Sequence, residues 1–69
     1  MKRIPVSSSN VASVGYDLKT QTLEVEFQNG NVYQYFDVTQ DVYDGLMSAE
    51  SKGKFLNAQI KGCYRYARV

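Results

Sequence analysis

The chain lacks histidine and tryptophan, and it has a single cysteine and a single proline among 69 residues. One thiol, Cys63, permits no internal disulfide, and without histidine the chain cannot supply the cluster of ligands that a structural zinc site needs. Cys63 and the serines also lack a histidine base that would activate them as nucleophiles. The sequence therefore predicts no metal, no cofactor and no enzymatic activity.

Long apolar runs are absent as well. No stretch approaches the roughly 20 residues of a membrane helix, and Met1–Val6 has no apolar core of the kind found in a signal peptide. A free cysteine without an export signal favours the reducing cytoplasm, so we expect a cytoplasmic protein with no membrane partner. We expect residues 1–69 to form one domain, whose small core gives a thin margin of stability.

Charge is unevenly distributed along the chain. From Ser51 onward there are five basic and no acidic residues, a net charge of +5, whereas residues 1–50 hold three basic and seven acidic residues, a net charge of −4. The basic residues of the C-terminal part are Lys52, Lys54, Lys61, Arg65 and Arg68. They are candidates for phosphate contacts, or a basic stripe that only aids solubility.

The clearest structural pattern is a hairpin. Apolar and polar residues alternate from Leu23 to Gln28, which predicts a half-buried strand. Asn29-Gly30 is typical of a two-residue type I′ turn. That turn would place Leu23 opposite Phe36, and Val32 and Phe36 on the apolar face. It would place Tyr33 and Tyr35 with Glu24 and Glu26 on the opposite face, here called the glutamate face.

The remaining segments complete an α+β prediction. Val11–Asp17 reads as the strand before the hairpin, with Ala12, Val14 and Tyr16 on the apolar face, and Ile4–Val6 as a short edge strand. Thr39 is a candidate N-cap of a helix, Ser51–Gly53 a break, and residues 55–63 a second helical stripe. We expect a small antiparallel meander of three main strands, with possible short end strands, and two C-terminal helices on one face.

Three groups of side chains are candidates for chemistry. Cys63 falls on the second helical stripe, so we interpret it as a small apolar core residue. Glu24 and Glu26 could form an acid/base pair, but we prefer to interpret them as a strand face kept polar to prevent sheet stacking. Tyr33 and Tyr35 could stack unpaired bases. They could equally pack under the N-terminal segment or under residues 64–69.

The ordered set of motifs resembles the KTSC domain family, found at the C-terminus of some lysyl-tRNA synthetases and as stand-alone bacterial or phage proteins. The motifs are Val6-Ser7-Ser8-Ser9, Val14-Gly15-Tyr16-Asp17, Leu23–Phe27 with Gly30, Tyr33-Gln34-Tyr35, and Ser51–Asn57 with Ile60 and Tyr64. The resemblance implies RNA binding through the link to the synthetase, and no ligase activity, because no aminoacylation domain is present.

Two functional hypotheses follow. In the first, the chain is a non-catalytic module that binds tRNA or single-stranded nucleic acid. Its site would comprise Tyr33, Tyr35, Lys52, Lys54, Lys61, Arg65 and Arg68. In the second, it binds a protein partner or itself through the Tyr33–Tyr35 strand or an open sheet edge.

Overall fold

A computed structural model describes residues 1–69 as a five-stranded antiparallel sheet with helices packed on one face. The strands lie in the sheet in chain order, so each pairs with its neighbour in sequence. The elements are β1 (Arg3–Pro5), β2 (Val11–Asp17), β3 (Thr22–Phe27), β4 (Val32–Tyr35), α1 (Gln40–Ser48), α2 (Lys52–Phe55), one π-helical turn (Leu56–Ile60) and β5 (Tyr66–Arg68). The predicted α+β meander with short end strands and two helices is therefore observed.

The β3–β4 hairpin departs from the predicted turn. The Phe27 N–H donates to the Asn31 carbonyl and the Gly30 N–H donates to the Phe27 carbonyl, each at 2.9 Å, so the loop has three residues rather than two. Gly30 has a φ of +90°, whereas Asn29 is not left-handed. This is the three-residue loop in which a left-handed glycine forms a bulge after a type I turn.

The longer loop shifts the register by one residue, which moves every β4 side chain to the other face of the sheet. Tyr35 lies opposite Leu23, where Phe36 was predicted, and Tyr33 lies opposite Val25. The predicted placement of both tyrosines on the glutamate face is wrong. Their rings lie on the inner face, the side of the sheet that the helices cover.

The same shift corrects the apolar residues of β4. Val32 lies opposite Glu26 and Gln34 lies opposite Glu24, so both belong to the glutamate face. Phe36 lies beyond the end of the strand, where the Arg65 guanidinium is 5.7 Å from its ring centre. Neither Val32 nor Phe36 is a core residue, contrary to the predicted register.

Strand β2 follows the prediction except at one point. The predicted pairs Tyr16 with Leu23 and Val14 with Val25 are observed. Ala12 sits in a bulge, and Val11 takes its place opposite Phe27.

Strands β1 and β5 form the two edges of the sheet, and β4 is paired on both sides. Proline at β1 fits an edge position, because its missing N–H leaves no ladder bond unmade. The Tyr33–Tyr35 strand therefore offers no open edge for pairing with another chain.

The first helix begins as predicted, with Thr39 at the N-cap position and Asp41 in the first turn, but the Thr39 side chain forms no capping hydrogen bond. Helix α1 ends at Ser48. Ser51 caps α2 by accepting a hydrogen bond from the Lys54 N–H at 3.3 Å. Gly53, predicted to lie in the break, is inside α2. Neither helix has the length or the apolar character that crossing a bilayer requires.

The second helical stripe ends earlier than predicted. The π-helical turn widens the winding after Leu56, and Lys61 then adopts an extended conformation with ψ of 129°. Cys63 is consequently exposed, so its interpretation as a core residue is wrong. Gly62, with φ of +81°, reverses the chain toward β5.

The core lies between the inner face of the sheet and the helices. Its buried members are Val11, Val14, Leu23, Val25, Tyr35, Val38, Leu46, Leu56 and Ile60. Tyr16 and Tyr43, both predicted to be in the core, pack against its border and stack on each other with ring centres 4.8 Å apart. The helices leave the β4–β5 side of the inner face partly open.

Candidate functional site

A cleft of about 840 Å³ opens where the helices stop short of β4 and β5. We call it the tyrosine cleft. One wall is the sheet, with Phe27, Tyr33, Tyr35 and Tyr66, and the other is the end of the helical segment. The full lining is Ser9, Asn10, Phe27, Gln28, Asn29, Asn31, Tyr33, Tyr35, Gly53, Leu56, Asn57, Lys61, Gly62 and Tyr66.

The four aromatic rings form a continuous row. Tyr66 lies with its ring centre 6.0 Å from Tyr33 and 6.0 Å from Tyr35, and Tyr33 is 5.8 Å from Phe27 in an edge-to-face contact. The β4–β5 register creates this row, because it places Tyr66 directly opposite Tyr35 and on the same face. Tyr35 is 3% exposed and Tyr66 is 62% exposed, with Tyr33 half-buried between these limits.

The tyrosines of the row differ in whether a ligand can reach their rings. A base can stack only on a ring with a free face, which Tyr66 has and Tyr35 lacks. Tyr35 packs instead with the core, and its ring lies beside that of Tyr66 on the neighbouring strand. Of the two tyrosines that the sequence predicted for stacking, Tyr33 alone is accessible in part.

The predicted basic residues do not converge on one place. Lys61 lines the cleft, with its ammonium 5.1 Å from the centre of the Phe27 ring. Arg68 lies opposite Tyr33 in the sheet and donates to Asn31 Oδ1 at 2.7 Å, at the rim of the cleft. Of the five predicted cations, Lys61 is thus in the lining and Arg68 is bonded to a residue of the lining.

The other three basic residues neither line the cleft nor form a side-chain hydrogen bond with a residue that does. Lys52 donates to the carbonyls of Met47 and Ala49, which fixes it on the end of α1. Arg65 pairs with Asp37 at 3.0 Å on the surface. Lys54 is exposed on α2 and contacts no part of the cleft lining through a side-chain hydrogen bond.

The carboxylates that seemed to obstruct the tyrosines are on the other face of the sheet. Glu24 accepts from Arg3 at 3.0 Å and from Gln34 at 2.9 Å, and Glu26 accepts from Ser13 at 2.8 Å. No acidic residue lines the cleft. The electrostatic conflict implied by the predicted register therefore disappears, and Glu24 and Glu26 have a structural role as hydrogen-bond acceptors.

Burial perturbs the phenol of Tyr35. Loss of solvent raises the pKa of Tyr35 above its ordinary value of 10.0, and charge on Tyr33 and Tyr66 raises it further. The pKa of Tyr16 is also raised, mainly by burial and then by Asp44 and Asp17. Both groups are neutral hydroxyls at neutral pH.

The raised pKa of Tyr35 predicts alkaline instability. Below about pH 10 the phenol is protonated in both the folded and the unfolded chain, so its contribution to stability is complete. As pH rises beyond that value the unfolded chain loses the proton first, and the free energy of unfolding falls. Urea unfolding of the wild type should show this decline from about pH 10 upward, and Tyr35→Phe should show a smaller one. Equal declines in both proteins would exclude Tyr35 as a source, leaving Tyr16.

Several residues of the cleft were missed from the sequence. Tyr66 could have been found, because residues 64–69 alternate and a strand paired with β4 would place this residue beside Tyr35. Asn10 and the adjacent pair Leu56-Asn57 come from distant segments that meet only through folding, so no local pattern marks them as neighbours.

Comparison with known proteins identifies the module. The KTSC domain model matches residues 7–66, which is nearly the whole chain. The crystal structure of a KTSC domain protein from Yersinia pestis superposes with a TM-score of 0.93 at 40% identity, covering 99% of this chain and 96% of that one. The fold that contains the cleft has therefore also been observed in a crystal structure.

Relatives by sequence are of two kinds. An uncharacterized protein of Stutzerimonas stutzeri is 43% identical over 70 residues and matches 100% of this chain and 99% of its own length. A lysine–tRNA ligase of Nostoc punctiforme is 41% identical over 61 residues, which are 88% of this chain but 11% of the ligase. The module therefore occurs both alone and as a small part of a much larger protein.

Proposed function

Because the chain belongs to the KTSC domain family, we propose that it is a non-catalytic module that binds single-stranded RNA in the tyrosine cleft. Tyr66 and Tyr33 stack on unpaired bases, and Lys61 and Arg68 contact the phosphates beside them. Tyr35 holds the row in place from the core.

The observation that carries this proposal is the juxtaposition of an exposed tyrosine and a lysine in a cleft without acidic residues. Aromatic faces bind bases with little regard to sequence, and cations bind the backbone. The volume of about 840 Å³ is in the usual range of small-ligand pockets and gives room for a nucleotide rather than a helix. The glutamates, which would repel phosphate, lie on the opposite face of the sheet.

The family relationship supports RNA as the ligand class. The Nostoc punctiforme relative is named as a lysine–tRNA ligase, so a homologous module is part of a protein whose name gives tRNA as a substrate. The ligase activity itself is not part of the proposal, because the matched region is 11% of that protein.

The number of phosphate contacts predicts the salt dependence. For single strands the slope of log Kobs against log salt is about −0.7 for each neutralised phosphate. Contacts from Lys61 and Arg68 alone predict a slope of about −1.4, whereas all five C-terminal cations would give about −3.5. Fluorescence anisotropy with a labelled single-stranded oligonucleotide across a salt series measures this slope.

Variants of the two sets of cations make the test specific. Lys61→Gln should make the slope less negative by about 0.7. The matched change Lys19→Gln, at the exposed β2–β3 turn, should leave the slope unchanged. Duplex RNA should bind more weakly than the single strand, because paired bases offer no free face. Absence of binding to either form at low salt would refute the proposed function.

Self-association is a second candidate, favoured by the open edge of β5. All three residues of that strand are exposed, and its outer hydrogen-bonding groups face no other strand. Light scattering over a range of protein concentrations distinguishes the two candidates. A rise in mass without RNA would support pairing at this edge.

A further inference from the structure

The cleft has polar groups that its own structure leaves unused, and these bear on which base it binds. Three of its five amide side chains are engaged within the protein. Gln28 donates to the carbonyls of Ser8 and Val11, Asn29 accepts from the Asn31 N–H, and Asn31 accepts from Arg68. The remaining two, Asn10 and Asn57, line the cleft without any side-chain hydrogen bond to the protein.

We infer that Asn10 and Asn57 read the edge of a base held against Tyr33 and Tyr66, and that the base they favour is adenine. This inference rests on the proposed function and assigns its specificity. The two amides are exposed, so forming no hydrogen bond within the protein costs little in the free chain. In the complex they would donate to and accept from a single ligand.

The position of Asn10 is set by a glycine on the facing helix. Gly53 is buried at the start of α2, and a methyl group on its Cα would lie 2.8 Å from Asn10 Nδ2. The absence of a side chain at Gly53 therefore lets the amide lie against the helix and reach the cleft. Any larger residue there has to push the amide aside.

The composition of the cleft argues for adenine over the other bases. An asparagine amide pairs in bidentate fashion with the N6 amino group and N7 of adenine. Guanine is typically read by arginine or lysine, and the amino group of cytosine by a carboxylate. The lining has no carboxylate, and the two cations at the cleft, Lys61 in the lining and Arg68 bonded to Asn31, are both assigned to phosphate. A purine also covers more of the Tyr66 face than uracil does.

A host oligonucleotide tests this inference. Short uridine strands with one central adenosine, guanosine or cytidine are titrated against the wild type by fluorescence anisotropy. We expect the adenosine strand to bind more tightly by about fivefold to 150-fold. In the double variant Asn10→Ala/Asn57→Ala the adenosine and guanosine strands should bind alike, while the matched change Gln59→Ala, an exposed amide outside the lining, should keep the preference.

Gly53→Ala supplies an independent variant that keeps both asparagines in the sequence and changes only the position of the Asn10 amide. Because the atom in the way is the end of a flexible side chain, the protein should stay folded while Asn10 is displaced. We expect this variant to lose most of the adenosine preference and to keep its circular dichroism spectrum. Equal binding of all strands by the wild type would overturn the base assignment but leave the proposed function intact. Binding of none would overturn both, and a preference that survives in the double variant would overturn the roles of Asn10 and Asn57.

Discussion

Replacing Tyr66 with alanine is expected to weaken binding of single-stranded RNA by about fivefold to 150-fold without unfolding the protein. Base stacking on an aromatic side chain contributes about 1–3 kcal/mol per base. Tyr66 is 62% exposed at a sheet edge, so it contributes a free ring face to the cleft and little to the core. The dissociation constant from fluorescence anisotropy measures the loss, and thermal unfolding checks the fold.

Two control variants separate stacking from general surface effects. Tyr66→Phe keeps the ring and should bind RNA within about twofold of the wild type, because stacking depends on the π-face. Leu18→Ala removes a side chain that is 57% exposed at the β2–β3 turn, away from the cleft, and should change nothing. RNA binding by Tyr66→Ala that equals the wild type would show that the cleft is not the site.

Replacing Tyr35 with alanine is expected to lower the free energy of unfolding by about 3–5 kcal/mol, as for other large buried aromatic residues. A domain of this length has a total stability of about 3–10 kcal/mol, so the variant should be largely unfolded or close to it. The ring is 3% exposed and packs in the core cluster with Leu23 opposite it in β3. Urea unfolding followed by circular dichroism measures the change.

The conservative variant tests why the residue is needed. The Tyr35 hydroxyl forms no hydrogen bond within the protein, and because no buried polar side-chain atom lacks a partner, this hydroxyl must reach the cleft. The buried ring, and not the hydroxyl, therefore accounts for the contribution to stability. Tyr35→Phe should therefore unfold within about 1 kcal/mol of the wild type at neutral pH. A stable Tyr35→Ala variant with weakened RNA binding would instead make Tyr35 a ligand contact.

The elements around the cleft were predicted from the sequence, but the length of the β3–β4 loop was not. Alternation located β3 and β4, and helical spacing located α1, because each pattern is set by residues close together in the chain. Asn29-Gly30 correctly marked the turn between the strands. The same dipeptide serves a two-residue or a three-residue loop, however, and the choice depends on how β4 packs against the helices.

The length of the β3–β4 loop determines which side chains surround Tyr33 and Tyr35. With the predicted register Tyr33 and Tyr35 would share a face with Glu24 and Glu26, and phosphate would be repelled. In the observed register the rings and the carboxylates lie on opposite faces. Burial of the Tyr35 ring stabilises the observed register. Because this burial depends on packing between distant segments, the local sequence pattern does not reveal it.

The exposure of Cys63 has a similar origin. Regular α-helical spacing would have carried the apolar stripe to this residue, but the π-helical turn and the extended Lys61 end it at Ile60. The irregular segment brings Lys61 and Asn57 to the cleft. Residues whose position depends on such a local departure from regular geometry were beyond prediction from spacing.

The most direct test of the tyrosine cleft as an RNA site is an NMR titration of labelled protein with a single-stranded oligonucleotide that contains adenosine. We predict chemical-shift changes at Tyr33, Lys61 and Tyr66, which line the cleft, and none at Ser13 or Gln34 on the glutamate face. Changes confined to the glutamate face, or no changes at saturating RNA, would contradict the account.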